Sequence, residues 1–148
     1  MVQPGYLLIR GDASSIPLRD KSVQCVVTSP PYYFLRGRAD SGELGNESTL
    51  EEYVDKLRKI FGEIRRVLRD DGTAMVNIGD SYANKMPRRK GFSPKNRIGI
   101  PFRLAIALQG DCWIWRDEII WSKPDPLPCP SNDRTVASHE LVLVFSKK

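Results

Sequence analysis

The chain has 148 residues, 41% of them apolar and 28% charged, with 23 Lys and Arg against 18 Asp and Glu. That is the size and balance of one globular domain with a core of its own, and the net charge of +5 is compatible with a polyanionic partner without demanding one. No apolar run approaches membrane-spanning length and no basic-apolar-small leader opens the chain, so a membrane span and a secretory signal are both excluded from expectation.

In chain order, Tyr6, Leu7, Leu8 and Ile9 form a short β run that ends at Arg10-Gly11-Asp12. Residues 23–27 form a second, in which Cys25 reads as a small buried hydrophobe. The second run delivers Thr28-Ser29-Pro30-Pro31-Tyr32-Tyr33. Two consecutive prolines lock φ and remove two N–H donors, which leaves carbonyl oxygens to accept from something other than secondary structure. With a hydroxyl before them and an aromatic face after, the string suits a planar base bearing an exocyclic amine. A rigid loop after a strand is the plainer alternative.

Leu50, Tyr53, Val54, Leu57, Ile60, Phe61, Ile64, Val67 and Leu68 recur at spacings of three and four, the apolar face of a long helix. Thr49 and Glu52 make a capping box at its start and Asp70-Asp71-Gly72 stop it, while Gly62 marks a place for close approach to the sheet. Residues 73–78 read as a strand ending at Gly79-Asp80. Pro101 suits the first turn of a mostly apolar helix reaching Leu108. Residues 113–121 and 141–145 read as strands, with Trp113, Trp115 and Trp121 as packing residues and a proline-rich extended loop between them. The lone His139 and its neighbour Glu140 would face opposite ways on a strand, which favours a structural role over a catalytic one.

Alternating strands and helices imply an open α/β sheet with helices on both faces, for which we count about five to six strands. Ligands of such sheets sit beyond the carboxyl ends of the strands, where Asp12, the hexapeptide and Asp80 would gather. Residues 84–97 carry Lys85, Arg88, Arg89, Lys90, Lys95 and Arg97 among Pro87, Gly91 and Pro94, an exposed basic loop. It serves either as a phosphate-contacting surface or simply as a solvated one. The three cysteines, Cys25, Cys112 and Cys129, are too scattered for a disulfide framework or a zinc site, and no metal is expected.

The Ser29-Pro30-Pro31-Tyr32 string resembles the catalytic signature of amino-group DNA methyltransferases, which modify cytosine N4 or adenine N6. Gly11-Asp12, Gly45-Asn46-Glu47, Glu51-Glu52-Tyr53-Val54, Asp71-Gly72-Thr73, residues 100–104, residues 120–124 and His139-Glu140 keep that family's order over nearly the whole chain. The resemblance implies a Rossmann-like, S-adenosyl-L-methionine-dependent methyltransferase sheet of seven strands, incomplete here. Residues 1–148 would be the catalytic part of a methyltransferase domain, with no separate target-recognition domain. It further implies Ser29, Pro30, Pro31 and Tyr32 as catalytic residues and Asp12 and Thr28 as cofactor-binding. DNA contacts would come from Tyr33, Arg88, Arg89, Lys90, Lys95 and Arg97. Ser at the first signature position tilts the target toward cytosine N4, and the expected place of work is the cytoplasm, on DNA.

The family's Phe-x-Gly-x-Gly segment, which shapes the backbone around the cofactor's methionine portion, does not occur in this sequence. The chain therefore resembles the catalytic half of such an enzyme. The expectations are a second subunit carrying the missing motif, a homo-oligomer, or a catalytically silent fragment that binds nucleic acid.

Overall fold

The computed structural model describes residues 5–33, 43–83, 92–126, 128 and 131–148. Six elements run in the order β1 (Val23–Thr28), α1 (Leu50–Val67), β2 (Leu68–Ile78), α2 (Ile100–Gly110), β3 (Ile114–Ser122) and β4 (His139–Ser146). The four strands form one mixed sheet ordered β1-β2-β4-β3. β1 and β2 are parallel, joined by the crossover through α1, and β4 runs antiparallel to both of its neighbours.

Helix α1 forms where the local chemistry demands it. The Thr49 side chain accepts from the Glu52 N–H, and the Glu52 carboxylate closes the reciprocal half of the capping box. Acidic residues occupy the first turn and Arg65 and Arg66 the last, as the helix dipole favours. Leu50, Tyr53, Leu57, Phe61 and Ile64 share a buried cluster with Ala74, Val76 and Ile78 of β2. Helix α2 is preceded at its N-cap by Gly99 (φ 77°), which has no side chain to cap it. Asp80 at the end of β2 substitutes for one, accepting from the N–H groups of Gly99 (2.9 Å) and Ile100 (3.0 Å).

Several expectations need correction. Residues 6–9 form no strand; Tyr6, Leu7 and Leu8 are at least 77% exposed. The described residues therefore hold four strands rather than five or six. Both described helices contact each other and share one buried cluster, so they lie on one face of the sheet and not on two. Asp70-Asp71-Gly72 do not end in a loop. Strand β2 already starts at Leu68, and the register jumps from Val23↔Leu68 to Cys25↔Thr73, a bulge of residues 69–72. Gly72 is wedged there, with an added Cβ only 2.9 Å from the Gln24 carbonyl. Gly62 faces open space and approaches nothing. Cys25 and Trp121 are exposed, because β1 and β3 are the sheet's edges, whereas Trp113 is buried against Phe61 and Phe145.

Candidate active site

The Ser-Pro-Pro-Tyr loop leaves the carboxyl end of β1 beside the carboxyl end of its parallel neighbour β2. Its two tyrosines diverge. Tyr33 turns into the core, 1% exposed, with its ring 5.1 Å from that of Tyr53 on α1. The ring is thus buried in the core, where the sequence reading expected a nucleic-acid contact. Tyr53 braces the same loop, its hydroxyl donating to the Pro31 carbonyl at 2.8 Å. Burial pushes the Tyr53 phenol well above its ordinary pKa, so it remains a donor.

Tyr32 turns the other way, toward the sheet face opposite α1. Its hydroxyl donates to Glu140 Oε2 on β4 at 2.6 Å, and Asn77 Nδ2 on β2 lies 3.3 Å from the phenolic oxygen. Asn77 also donates to Glu140 Oε2 at 3.2 Å, while the Lys123 ammonium pairs with Oε1. Burial, reinforced by the bond to Glu140, pushes the Tyr32 phenol up to about 12. Burial alone would raise Glu140; the bonds from Lys123, Tyr32 and Asn77 outweigh it and hold the carboxyl below its ordinary value. The Tyr32 ring lies against Gly79, where an added Cβ would fall 2.5 Å from Cε2.

A second loop closes the site. Gly45, with φ of 99°, brings its backbone within reach of the Tyr32 carbonyl, and a Cβ there would lie 2.8 Å from that oxygen. Its N–H is held at 2.8 Å by the buried Glu47 carboxylate, itself paired with Lys56 at 3.0 Å. Between Ser29–Tyr32 and residues 43–46 lies a cleft of about 530 Å³, within the size range of small-ligand sites. The structure thus brings Ser29, Pro30, Pro31 and Tyr32 to one cavity.

The remaining described residues expected at the site do not line that cleft. Thr28 ends β1, partly buried. Asp12 is exposed and accepts from both the N–H and the hydroxyl of Ser14 at 2.8 Å, bonds that lower its pKa and make a local turn. Lys95 pairs with Asp133 at 2.5 Å and Arg97 with Asp80 at 2.8 Å. Arg88, Arg89 and Lys90 lie outside the described residues, as does most of the basic loop. Sequence reasoning missed Asn77, Gly79, Lys123 and Glu140 as neighbours of Tyr32; the order of the segments around Lys123 and Glu140 was a signal, but not of what they touch. Among the described residues no His, Cys, Asp and Glu cluster could hold a metal, and no helix is long and apolar enough to cross a membrane.

A family model described as DNA methylase, for N6 and N4 enzymes, matches residues 23–148. The type II methyltransferase M.Cfr9I of Citrobacter freundii is 42% identical over 164 residues, an alignment that covers 97% of this chain and 55% of the relative. The solved PvuII DNA methyltransferase, described as cytosine-N4-specific, superposes with a TM-score of 0.70 at 26% identity, over 93% of this chain and 48% of that one. A putative DNA modification methylase of Thermus thermophilus, solved with S-adenosyl-L-methionine, shares the fold with a TM-score of 0.67 at 24% identity, over 93% and 53%. The chain spans about half the length of the relatives it matches.

Proposed function

This chain belongs to the N6/N4 DNA methylase family, and from that premise we propose that it forms the amine-binding half of a DNA methyltransferase whose preferred target is cytosine N4. The observation that carries the reading is the cleft itself, where the Ser29 and Pro30 acceptors stand beside the Tyr32 ring. Cytosine N4 and adenine N6 are poor nucleophiles because their lone pairs are delocalised into the ring. Ser29 Oγ and the Pro30 carbonyl accept from the amine and turn its lone pair toward the methyl donor. Tyr32 stacks on the base, which arrives flipped out or single-stranded. No covalent enzyme intermediate is needed: positioning, and stabilisation of the positive charge developing on the amine, lower the barrier. Preference for cytosine rests on Ser29 and on the likeness to the PvuII enzyme.

S-adenosyl-L-methionine is the family's donor and supplies an electrophilic methyl group when bound. Asp12 and Thr28 are the residues this chain would offer it. The exposed Asp12 carboxylate suits an adenine amine or a ribose hydroxyl, and the rest of that pocket would come from outside the 148 residues. The edge position of β1 among the described strands, with Val27 exposed on it, favours a partner half, as do the exposed apolar side chains of residues 6–8. That half could be further chain, a second subunit or a second copy. In this reading the basic stretch 84–97 tracks phosphates, and the protein acts on DNA in the cytoplasm.

The test is incubation with labelled S-adenosyl-L-methionine and DNA, with and without the neighbouring gene product, followed by identification of the methylated base. N4-methylcytosine is expected. N6-methyladenine would overturn the target assignment, and no transfer in any assembly would leave the silent nucleic-acid-binding fragment as the better reading.

A further inference from the structure

We infer that Glu140 is a positioning residue that, together with Gly79, fixes the plane of the Tyr32 ring as a stacking platform for the target base. This rests on the reading of Tyr32 as the base's stacking partner. The geometry has two independent constraints. The phenolic oxygen lies on the axis about which the ring turns, so the 2.6 Å bond to Glu140 fixes the direction of that axis without fixing the rotation around it. Gly79 supplies the other restriction. A Cβ there would lie 2.5 Å from Cε2 and 2.9 Å from Cδ2, so that side of the ring has no room even for a methyl group, which limits that rotation.

Glu140 is itself held. Ile78 pairs with Leu141 across β2 and β4, so Glu140 falls level with Gly79, beyond the last paired residue of β2. Asn77 and the Lys123 ammonium bond its two oxygens, and its side chain is 20% exposed. A carboxylate tied down at both oxygens makes a stationary acceptor, whereas a solvated one would follow the tyrosine rather than direct it. With its pKa near 12, Tyr32 keeps the proton it donates throughout the neutral range. Stacking needs only an aromatic ring; the hydroxyl of Tyr32 is what lets this chain recruit β4 to hold it.

The test uses a single-stranded oligonucleotide carrying pyrrolocytosine, a fluorescent cytosine analogue, titrated into the full chain while quenching is followed. Tyr32→Phe keeps the ring and removes the tether; Glu140→Ala removes the acceptor. Each should weaken binding and quenching by about threefold to tenfold, the net value of one ordinary intramolecular hydrogen bond. The double variant should be no weaker than either single one, because both remove the same bond. Additive losses would mean that Glu140 acts elsewhere and would overturn the inference. If Glu140→Ala does not fold, Tyr32→Phe decides: wild-type quenching from it sinks the tether. Unchanged quenching in Tyr32→Phe and Glu140→Ala, with loss in Tyr32→Ala, would defeat the positioning role and leave the stacking reading intact. Full quenching in Tyr32→Ala, or none in the wild type, would defeat the stacking reading itself.

Discussion

Replacing Gly79 by alanine should disable the site while leaving the fold in place. The new Cβ would lie 2.5 Å from Cε2 of Tyr32 and 2.9 Å from Cδ2, where ordinary contact begins at 3.4 Å. The ring must therefore retreat by about 0.9 Å. A free side chain would do so cheaply. Tyr32 is not free: Glu140 holds its hydroxyl at 2.6 Å, and its own backbone is pressed by Gly45 on one side and follows Pro31, whose carbonyl Tyr53 engages. A retreat of that size either stretches the Glu140 bond to the edge of a hydrogen bond, a loss of about 1–3 kcal/mol in stability, or turns the ring about the axis that this bond leaves free, and either displacement moves the stacking plane. A misplacement of about 1 Å in a positioned reactant costs on the order of 100-fold in rate. The expectation is thus a melting temperature lowered by about 2–12 °C and single-turnover methyl transfer slowed about 100-fold in the competent assembly. Transfer within about threefold of wild type from a folded Gly79→Ala protein would refute the argument that this contact sets the ring.

Tyr53→Phe removes the 2.8 Å bond to Pro31 and strands a carbonyl behind the site, so it should cost about 1–3 kcal/mol by urea denaturation, with transfer reduced as well; an unchanged midpoint would contradict the brace. Asp80→Ala should destabilise by about 1–2 kcal/mol and speed amide exchange at Gly99 and Ile100, since α2 has no side-chain cap of its own; unaltered exchange at those two amides would argue against Asp80 as the cap. For Glu140 the sign follows from its lowered pKa. Its stabilising contribution is complete above the unfolded-state value near 4.5 and is lost as pH falls through the lower folded-state value. The melting temperature of Glu140→Gln should therefore lie furthest below wild type at neutral pH and converge with it on acidification below about pH 4.5; a gap that widened on acidification would be incompatible with that shift.

What could be read in the sequence was whatever depends on near neighbours. The Thr49–Glu52 capping box and the three-and-four spacing of Leu50, Tyr53, Leu57, Phe61 and Ile64 are settled within one or two turns of chain, and α1 follows them. The Ser29-Pro30-Pro31-Tyr32 loop was legible for the same reason, because prolines impose their geometry locally. Residues 68–72 were not: their helix-stop composition is real, but β1 draws them into a bulge that only the pairing with Val23 and Cys25 explains. Glu140 shows the limit from the other side. Strand alternation correctly separates it from His139, yet only the order β1-β2-β4-β3 puts the strand of Glu140 beside that of Asn77, and so brings Glu140 to Tyr32.

The apolar residues found exposed have one cause in common. Cys25 and Val27 lie on edge strand β1, Trp121 on edge strand β3, and Tyr6, Leu7 and Leu8 before a strand they do not join. Composition reports that a residue is suited to burial; burial also requires a neighbour. In the proposed reading that neighbour is the cofactor half, which would cover the β1 edge next to the loop that holds the amine. Completing the sheet and completing the active site would then be one event. Exposed area at Val27 should fall only in an assembly that also transfers methyl groups, so hydrogen exchange at β1 and transfer activity should be linked as the partner half is titrated, protection increasing with activity. Activity without protection of β1 would show that the donor pocket is completed elsewhere.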